Sequence, residues 1–166
     1  MSAPSHPPTV KIGRLTISDR ASAGIYEDLS GPAIEEALAG LFGGTAEFSR
    51  LLVPDERPQI AEALRQLCDK EKCALVVTTG GTGPTPRDVT PEATREVLEK
   101  ELPGFGEIMR MRSFDIAPTS ILSRSVSGIR GKALVINLPG SPKAVRECLA
   151  ILAPAIRECL KHLRGE

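Results

Sequence analysis

A continuous apolar segment followed by a glycine-rich loop constrains the fold of this chain more than any other feature. Residues 73–78 are almost all apolar, and they run into the loop Gly80–Gly83. Such a segment is typical of a central strand in a parallel sheet, which is covered on both faces. Thr90 suits a helix N-cap and Pro91 a first helical position, so a helix is predicted over 91–100. Because parallel strands need crossover connections, the chain is predicted to be an α/β protein.

The rest of the chain alternates between strand and helix patterns. Further strands are predicted over 11–18, 48–53 and 133–138. Further helices are predicted over 32–41, over 56–70 with Asp55 as N-cap, over 105–114, and from Pro142 onward with Ser141 as N-cap. Pro154 is expected to kink or split the last helix, and 117–130 is either a short helix or a hairpin. This order predicts three layers, with a mostly parallel sheet flanked by helices.

Length and composition favour one globular domain. The chain has 166 residues, of which 41% are hydrophobic and 25% are charged, and it contains no internal repeat or linker. The domain is predicted over 11–166. The segment 1–10 is small, polar and rich in proline at its start, and we expect a flexible tail there.

The charge balance argues against nucleic acid and membranes as partners. Lys plus Arg and Asp plus Glu both total 21, so no net charge attracts a polyanion. The sequence has no Trp and one Tyr, which leaves no aromatic platform for stacking bases. No apolar segment is long enough to span a bilayer, and the first residues lack the apolar core of a signal peptide. The four cysteines form no C-x-x-C pair, so we expect reduced, structural thiols in a cytoplasmic protein.

Polar segments follow each predicted parallel strand. They are Ser18-Asp19-Arg20, Asp55, the stretch from Gly80 to Asp88, and the stretch from Gly140 to Lys143. Ligands of open α/β sheets bind beyond the carboxyl ends of the strands. We therefore expect these segments, which are distant in sequence, to meet in one site.

The glycine loop itself has two interpretations. It is neither a Walker A motif nor a dinucleotide fingerprint, because the lysine and the third glycine that these motifs require are missing. It is either an anion-binding loop at a helix N-terminus or a tight turn in which glycine supplies positive φ. A bare carboxylate repels phosphate, so Asp88 in this loop suggests a bridging Mg²⁺ or an acid–base role. Beside such a loop, Lys143 becomes a candidate phosphate contact.

Several motifs together resemble the molybdopterin-binding domain family, which includes the molybdopterin adenylyltransferases and the G domain of gephyrin. The resemblance covers about 11–163 and is strongest over Thr78–Gly83 and Arg87–Thr94. The other matching pieces are Ile17–Arg20, Val53–Glu56, Leu102–Glu107, Leu122–Arg124 and Leu138–Lys143.

The resemblance implies a specific reaction. Members of the family transfer AMP from Mg-ATP to the terminal phosphate of molybdopterin, release pyrophosphate, and pass the adenylylated pterin to a molybdate-insertion protein. The resemblance implies that Asp55 and Asp88 are the catalytic residues and support Mg²⁺.

The resemblance also implies a homotrimer and a set of substrate- and nucleotide-binding residues. That set is Ser18, Asp19, Thr79, Gly80, Gly81, Thr82, Gly83, Glu107, Ser123, Pro139, Gly140, Ser141 and Lys143.

Two other functions remain open on the sequence. A relative of the same fold could be a non-catalytic pterin-binding or scaffold protein. On the residues alone, the chain could also be another Mg-nucleotide-dependent enzyme with a flavodoxin-like sheet. Retention of both aspartates favours an active transferase.

Overall fold

The structure, a computed structural model, describes residues 8–166. Its strands are β1 (Val10–Ile17), β2 (Ala46–Val53), β3 (Leu75–Thr79), β4 (Lys100–Glu101), β5 (Ser127–Arg130) and β6 (Ala133–Leu138). Its α-helices are α1 (Asp19–Ser22), α2 (Ser30–Phe42), α3 (Arg57–Arg65), α4 (Thr90–Val97), α5 (Gly104–Phe114) and α6 (Pro142–Arg164). A π-helical turn, Gln66–Lys70, continues α3, and a 3₁₀ turn, Pro118–Leu122, follows α5.

The strands form one six-stranded sheet in the order β2-β1-β3-β6-β5-β4. The first four strands in this order are mutually parallel, and the short strands β5 and β4 complete the sheet in antiparallel pairing. The predicted class, a mostly parallel sheet flanked by helices, is therefore confirmed.

Helices cover both faces of the sheet. On one face, Leu75 and Val77 of β3 belong to a core that includes residues of α2 and α6. On the other face, Val76 packs in a second core with residues of α3 and α4. All five residues of β3 are buried, which explains why its sequence is continuously apolar instead of alternating.

One helix prediction was wrong, and a second was wrong in part. The helix expected over 91–100 ends at Val97, because Lys100 and Glu101 form β4 and pair with β5. Pro154 does not split the last helix, which is continuous from Pro142 to Arg164. Proline removes one backbone donor, and the buried residues Leu152 and Ile156 on either side hold the helix against the core.

The ambiguous segment 117–130 contains both expected structures, a short 3₁₀ turn and a strand that forms a hairpin with β6. Strand β1 already begins at Val10, and residues 1–7 of the expected tail lie outside the described residues.

The cysteines are free thiols. Cys68, Cys73 and Cys148 are buried, and burial raises the pKa of Cys68 to about 12. Across the described residues, none of the helices is long and apolar enough to cross a membrane.

Candidate active site

The carboxyl ends of the four parallel strands meet at one edge of the sheet. In the register, Ile17 lies beside Val53, Thr16 beside Thr79, and Thr79 beside Leu138. The segments that follow these strands are therefore neighbours, as the sequence predicts. The glycine loop and the Pro139–Lys143 segment lie side by side, since a Cβ added to Gly140 would lie 3.7 Å from the Cα of Gly80.

Packing explains why the loop after β3 consists of glycines. Gly80 and Gly81 have φ of +96° and +68°, in the left-handed region that side chains avoid. A Cβ at Gly80 would clash with the carbonyl oxygen of Ile17, and one at Gly81 would clash with the Thr90 hydroxyl. A Cβ at Gly83 would lie 2.8 Å from a carboxylate oxygen of Asp88.

Thr90 holds the first two carbonyl groups of this loop. Its hydroxyl donates to the oxygen of Gly80 at 2.9 Å, and its amide donates to the oxygen of Gly81 at 3.1 Å. The prediction of Thr90 as N-cap was wrong: the residue before α4 is Val89, without a side-chain cap, and Thr90 is the first helical residue. The hydroxyl of Thr90 instead donates its proton to the carbonyl of Gly80, and this bond directs the side chain toward the loop.

Arg124 holds the next two carbonyl groups. Its amide donates to the oxygen of Thr82 at 2.8 Å, and its Nε donates to the oxygen of Gly83 at 2.9 Å. The carbonyl groups from Gly80 to Gly83 thus all accept bonds from the protein. Within residues 8–166, the amide N–H groups of the same loop make no hydrogen bond to protein atoms. Backbone amides left in this state in a loop favour anions.

The Pro139–Lys143 segment is built in the same way. Thr79 donates its hydroxyl to the oxygen of Pro139 at 2.6 Å, and Ser30 donates to the oxygen of Gly140 at 2.6 Å. Ser141 is the N-cap of α6, as predicted, and accepts from the amide of Ala144 at 3.2 Å. Both segments therefore turn carbonyl groups into the protein.

Asp55 does not cap α3, contrary to the prediction. Helix α3 begins at Arg57, and Asp55 instead forms a reciprocal pair with Asp19. The amide of Asp19 donates to Asp55 Oδ2 at 2.9 Å, and the amide of Asp55 donates to Asp19 Oδ1 at 3.0 Å. Arg87 binds Asp19 at 2.9 Å and Glu56 at 2.9 Å, which ties the glycine loop to this pair.

The environment shifts the pKa values of the two paired aspartates in opposite directions. Burial raises the pKa of Asp55, and the nearby charges of Asp19 and Asp88 also raise it. The pKa of Asp19 is lowered, first by the bond from the Asp55 amide and then by Arg87. A cation bound next to Asp55 would therefore reduce the repulsion between its carboxylate and those of Asp19 and Asp88.

Asp88 braces its own loop with one carboxylate oxygen. Oδ2 accepts from the amide of Thr85 at 3.0 Å and from its hydroxyl at 2.6 Å. The sequence suggested no structural role for Asp88, and this brace is one. The other oxygen, Oδ1, takes no part in this brace.

The two aspartates have the chemistry to hold a magnesium ion. Asp55 and Asp88 both lie beside the glycine loop. A Cβ added to Gly81 would lie 2.9 Å from Asp55 Oδ1, and one added to Gly83 would lie 2.8 Å from Asp88 Oδ2. Carboxylate oxygens suit Mg²⁺, which commonly binds one or two carboxylates plus phosphate oxygens. Among the described residues, no group of three or more potential ligand side chains forms a protein-only metal site.

Comparison with known proteins identifies the family. A family profile described as "Probable molybdopterin binding domain" matches residues 13–158. The chain belongs to the molybdopterin-binding domain family. It is 55% identical over 157 residues to the molybdopterin adenylyltransferase of Helicobacter pylori (strain J99 / ATCC 700824), with coverage of 95% of this chain and 89% of the relative. It is 51% identical over 141 residues to that of Escherichia coli (strain K12), with coverage of 85% and 72%.

A solved structure supports the same assignment. The molybdopterin biosynthesis enzyme MoaB from Thermus thermophilus superposes with a TM-score of 0.86 and is 45% identical. The match covers 95% of this chain and 98% of the MoaB chain.

Two cavities share Gly140 in their linings in this molybdopterin-binding domain. The larger cavity, of about 300 Å³, includes Thr82, Gly83, Ser123 and Glu147 in its lining. The smaller cavity, of about 220 Å³, includes Ser18, Tyr26, Ser30, Thr79 and Gly80 in its lining. Pro139 lines the larger cavity, and Gly140 lines both.

The remaining predicted site residues differ in their placement. Ser18 lines the smaller cavity and also caps α1, accepting from the amide of Ala21 at 3.1 Å. Lys143 is 81% exposed, with its Nζ 3.9 Å from Glu147. Glu107 lies outside both cavities, on the exposed side of α5 in a groove with Met111 and Phe114.

Sequence reasoning missed three residues of this domain's site. Ser30 and Glu147 carried no motif of their own, and Arg124 was noted only as part of a matching piece. Ser30 contacts Gly140 across 110 residues, and Arg124 contacts Gly83 across 41. Partners so distant in the chain become visible only when the fold brings them together.

Proposed function

We propose that this chain is a molybdopterin adenylyltransferase of molybdenum cofactor biosynthesis. The reaction transfers AMP from Mg-ATP to the terminal phosphate of molybdopterin and releases pyrophosphate. Relatives at 55% and 51% identity bear this name. The observation that carries the proposal is the backbone of the two touching loops, which turn their carbonyl groups inward and leave amides at the boundary between two cavities.

Two adjoining cavities suit two substrates that meet through their phosphates. We assign the pterin to the larger cavity, because Glu147 and Ser123 there can accept and exchange hydrogen bonds with a pterin ring. We assign the adenosine of ATP to the smaller cavity, where Tyr26 offers an aromatic face. Tyr26→Ala should then raise the KM for ATP and not that for molybdopterin; the reverse pattern would exchange the two assignments.

The chain's own residues act by holding and orienting the phosphates. A terminal phosphate oxygen of molybdopterin attacks the α-phosphorus of ATP. A new P–O bond forms, and the bond from the α-phosphorus to the bridging oxygen breaks, so that pyrophosphate leaves with the electron pair. The free amides of the glycine loop stabilise the charge on the transferring group. Bound Mg²⁺ would supply charge neutralisation between the phosphates and the carboxylates of Asp55 and Asp88.

A pyrophosphate-release assay with purified molybdopterin, ATP and Mg²⁺ tests the proposal. Release that requires both substrates supports it. Pterin binding without release would indicate a non-catalytic pterin-binding or scaffold protein. ATP cleavage that does not depend on the pterin would indicate another Mg-nucleotide-dependent enzyme.

We also propose that the active form is a cytoplasmic homotrimer that delivers its product to a molybdate-insertion protein. A patch on α5 and the following turn exposes large apolar side chains: Met111, Phe114, Ile116, Ile121 and Leu122. Clusters of this kind favour burial against another protein surface, and symmetric homo-oligomers are the common result. A monomer mass by light scattering at micromolar concentration would contradict the trimer.

A further inference from the structure

Arg124 donates to three carbonyl groups, two within the glycine loop and one at Asp88, which follows it. Its amide bonds to Thr82, and its Nε bonds to Gly83. Its Nη2 donates to the carbonyl oxygen of Asp88 at 2.7 Å. One residue thus connects the amide-bearing part of the loop with the backbone of the proposed catalytic aspartate.

Glu92 fixes the orientation of the Arg124 guanidinium. It accepts from both terminal nitrogens of Arg124, with a distance of 3.4 Å for the Nη2 contact. Each of the two side chains is 36% exposed, and Arg124 lowers the pKa of Glu92. The carboxylate of Glu92 neutralises the guanidinium, and the carbonyl groups of Gly83 and Asp88 occupy most of the remaining N–H donors of Arg124. Arg124 is therefore poorly suited to be a direct phosphate ligand.

We propose that Arg124 is a positioning residue that holds the glycine loop and Asp88 in the anion-binding conformation. This inference rests on the proposed function, because the anions concerned are the substrate phosphates and pyrophosphate. The reason is geometric. A carbonyl group that accepts a hydrogen bond from Arg124 cannot rotate toward the ligand, so the neighbouring amide groups remain directed at the ligand. A lysine at this position keeps the charge and the backbone bond to Thr82, but its single ammonium group cannot span the separated carbonyl oxygens of Gly83 and Asp88 as the rigid guanidinium does.

Amide hydrogen exchange in the free protein provides the first test. The amides of Thr85, Asp88 and Thr90 are hydrogen-bonded within the loop region and report on its opening. In Arg124→Lys they should exchange about 10-fold faster or more, since about 1.4 kcal/mol of lost local stability corresponds to a factor of ten. Unchanged exchange at all three amides would overturn the proposal.

Arg130→Ala is the matched control. Arg130 also donates to a backbone carbonyl, that of Val97 at 2.8 Å, and pairs with a carboxylate, Asp69 at 2.7 Å. It lies at the opposite end of β6 from the loops. This variant should leave the loop amides and the reaction unchanged, which separates loop positioning from general loss of an arginine.

Binding of inorganic pyrophosphate, measured by calorimetry with Mg²⁺, provides the second test. Both Arg124→Lys and Arg124→Ala should bind it about 10-fold more weakly or worse, and added guanidinium should restore part of the affinity of Arg124→Ala. Wild-type affinity in Arg124→Lys with loss only in Arg124→Ala would assign the residue a purely electrostatic role and overturn the proposal.

The two tests separate this inference from the proposed function. If the wild-type protein releases no pyrophosphate from ATP and molybdopterin, the proposed function fails, while the exchange comparison still decides whether Arg124 holds the loop. If the wild-type protein is active and Arg124→Lys matches it in kcat, KM and exchange, the inference alone fails.

Discussion

Asp88→Asn is the substitution that separates binding from transfer most cleanly. Asparagine keeps the size of the side chain and an oxygen that can accept from the amide and the hydroxyl of Thr85, at 3.0 and 2.6 Å in the structure. It removes the charge beside Gly83. The loop should therefore retain its shape, while the negative field next to the phosphates decreases.

The structure allows the magnitudes to be worked out. A charged acceptor contributes more to a hydrogen bond than a neutral one, so weakening the two bonds to Thr85 should lower the free energy of unfolding by about 1–2 kcal/mol. Losing one of two carboxylates that flank the transferring phosphate should cost about 3 kcal/mol in the transition state, or about 100-fold in rate. Pterin binding should survive or become tighter, because a negative charge near a phosphate has been removed.

Pyrophosphate release and molybdopterin binding should be measured in parallel for Asp88→Asn and for Asp69→Asn. Asp69 pairs with Arg130 away from the site, so its variant loses a charge without an expected effect on transfer. If Asp88→Asn transfers AMP at the wild-type rate with saturating Mg²⁺, Asp88 is only a brace for its loop and the metal role is wrong.

Three further perturbations test other parts of the site. Gly81→Val places a branched side chain at φ +68° against Thr90, so ATP and pterin binding measured by calorimetry should be lost in a folded protein; wild-type affinity would refute the loop assignment. Ser30→Ala frees the carbonyl of Gly140 and should raise the KM for substrates by about 10-fold, with Ser30→Thr restoring it; equal KM values in all three proteins would exclude this role. The pKa of Asp55 is raised, so its contribution to stability is present below the unfolded pKa and lost as pH rises through the folded pKa. Urea unfolding from acid to neutral pH should show Asp55→Asn gaining stability relative to wild type as pH rises, and a gain on acidification instead would contradict the direction of the shift.

The sequence predicted the parts of this fold that local pattern controls. The apolar run of β3 marked a central parallel strand, and the proline and serine at the start of α6 marked its N-terminus correctly. The convergence of the loops followed from parallel topology alone.

The two wrong N-cap predictions share one physical cause. Thr90 and Asp55 both match the residue preferences of an N-cap, yet the hydroxyl of Thr90 donates to Gly80 and the carboxylate of Asp55 accepts from Asp19. In both cases a tertiary partner, which local sequence does not reveal, determines where the polar side chain is directed. The structural role of Arg124 was missed for a similar reason, because its three carbonyl partners lie in a distant loop.

The most direct test of the proposed activity follows the α-phosphate of ATP. The wild-type protein should be incubated with molybdopterin, Mg²⁺ and ATP labelled at the α-phosphorus, and the products should be separated. We predict that the label becomes attached to the pterin in amounts equal to the pyrophosphate released, and that neither product forms when molybdopterin is omitted. Label recovered only as ATP, or as free AMP without a pterin adduct, would contradict the assignment of this chain as a molybdopterin adenylyltransferase.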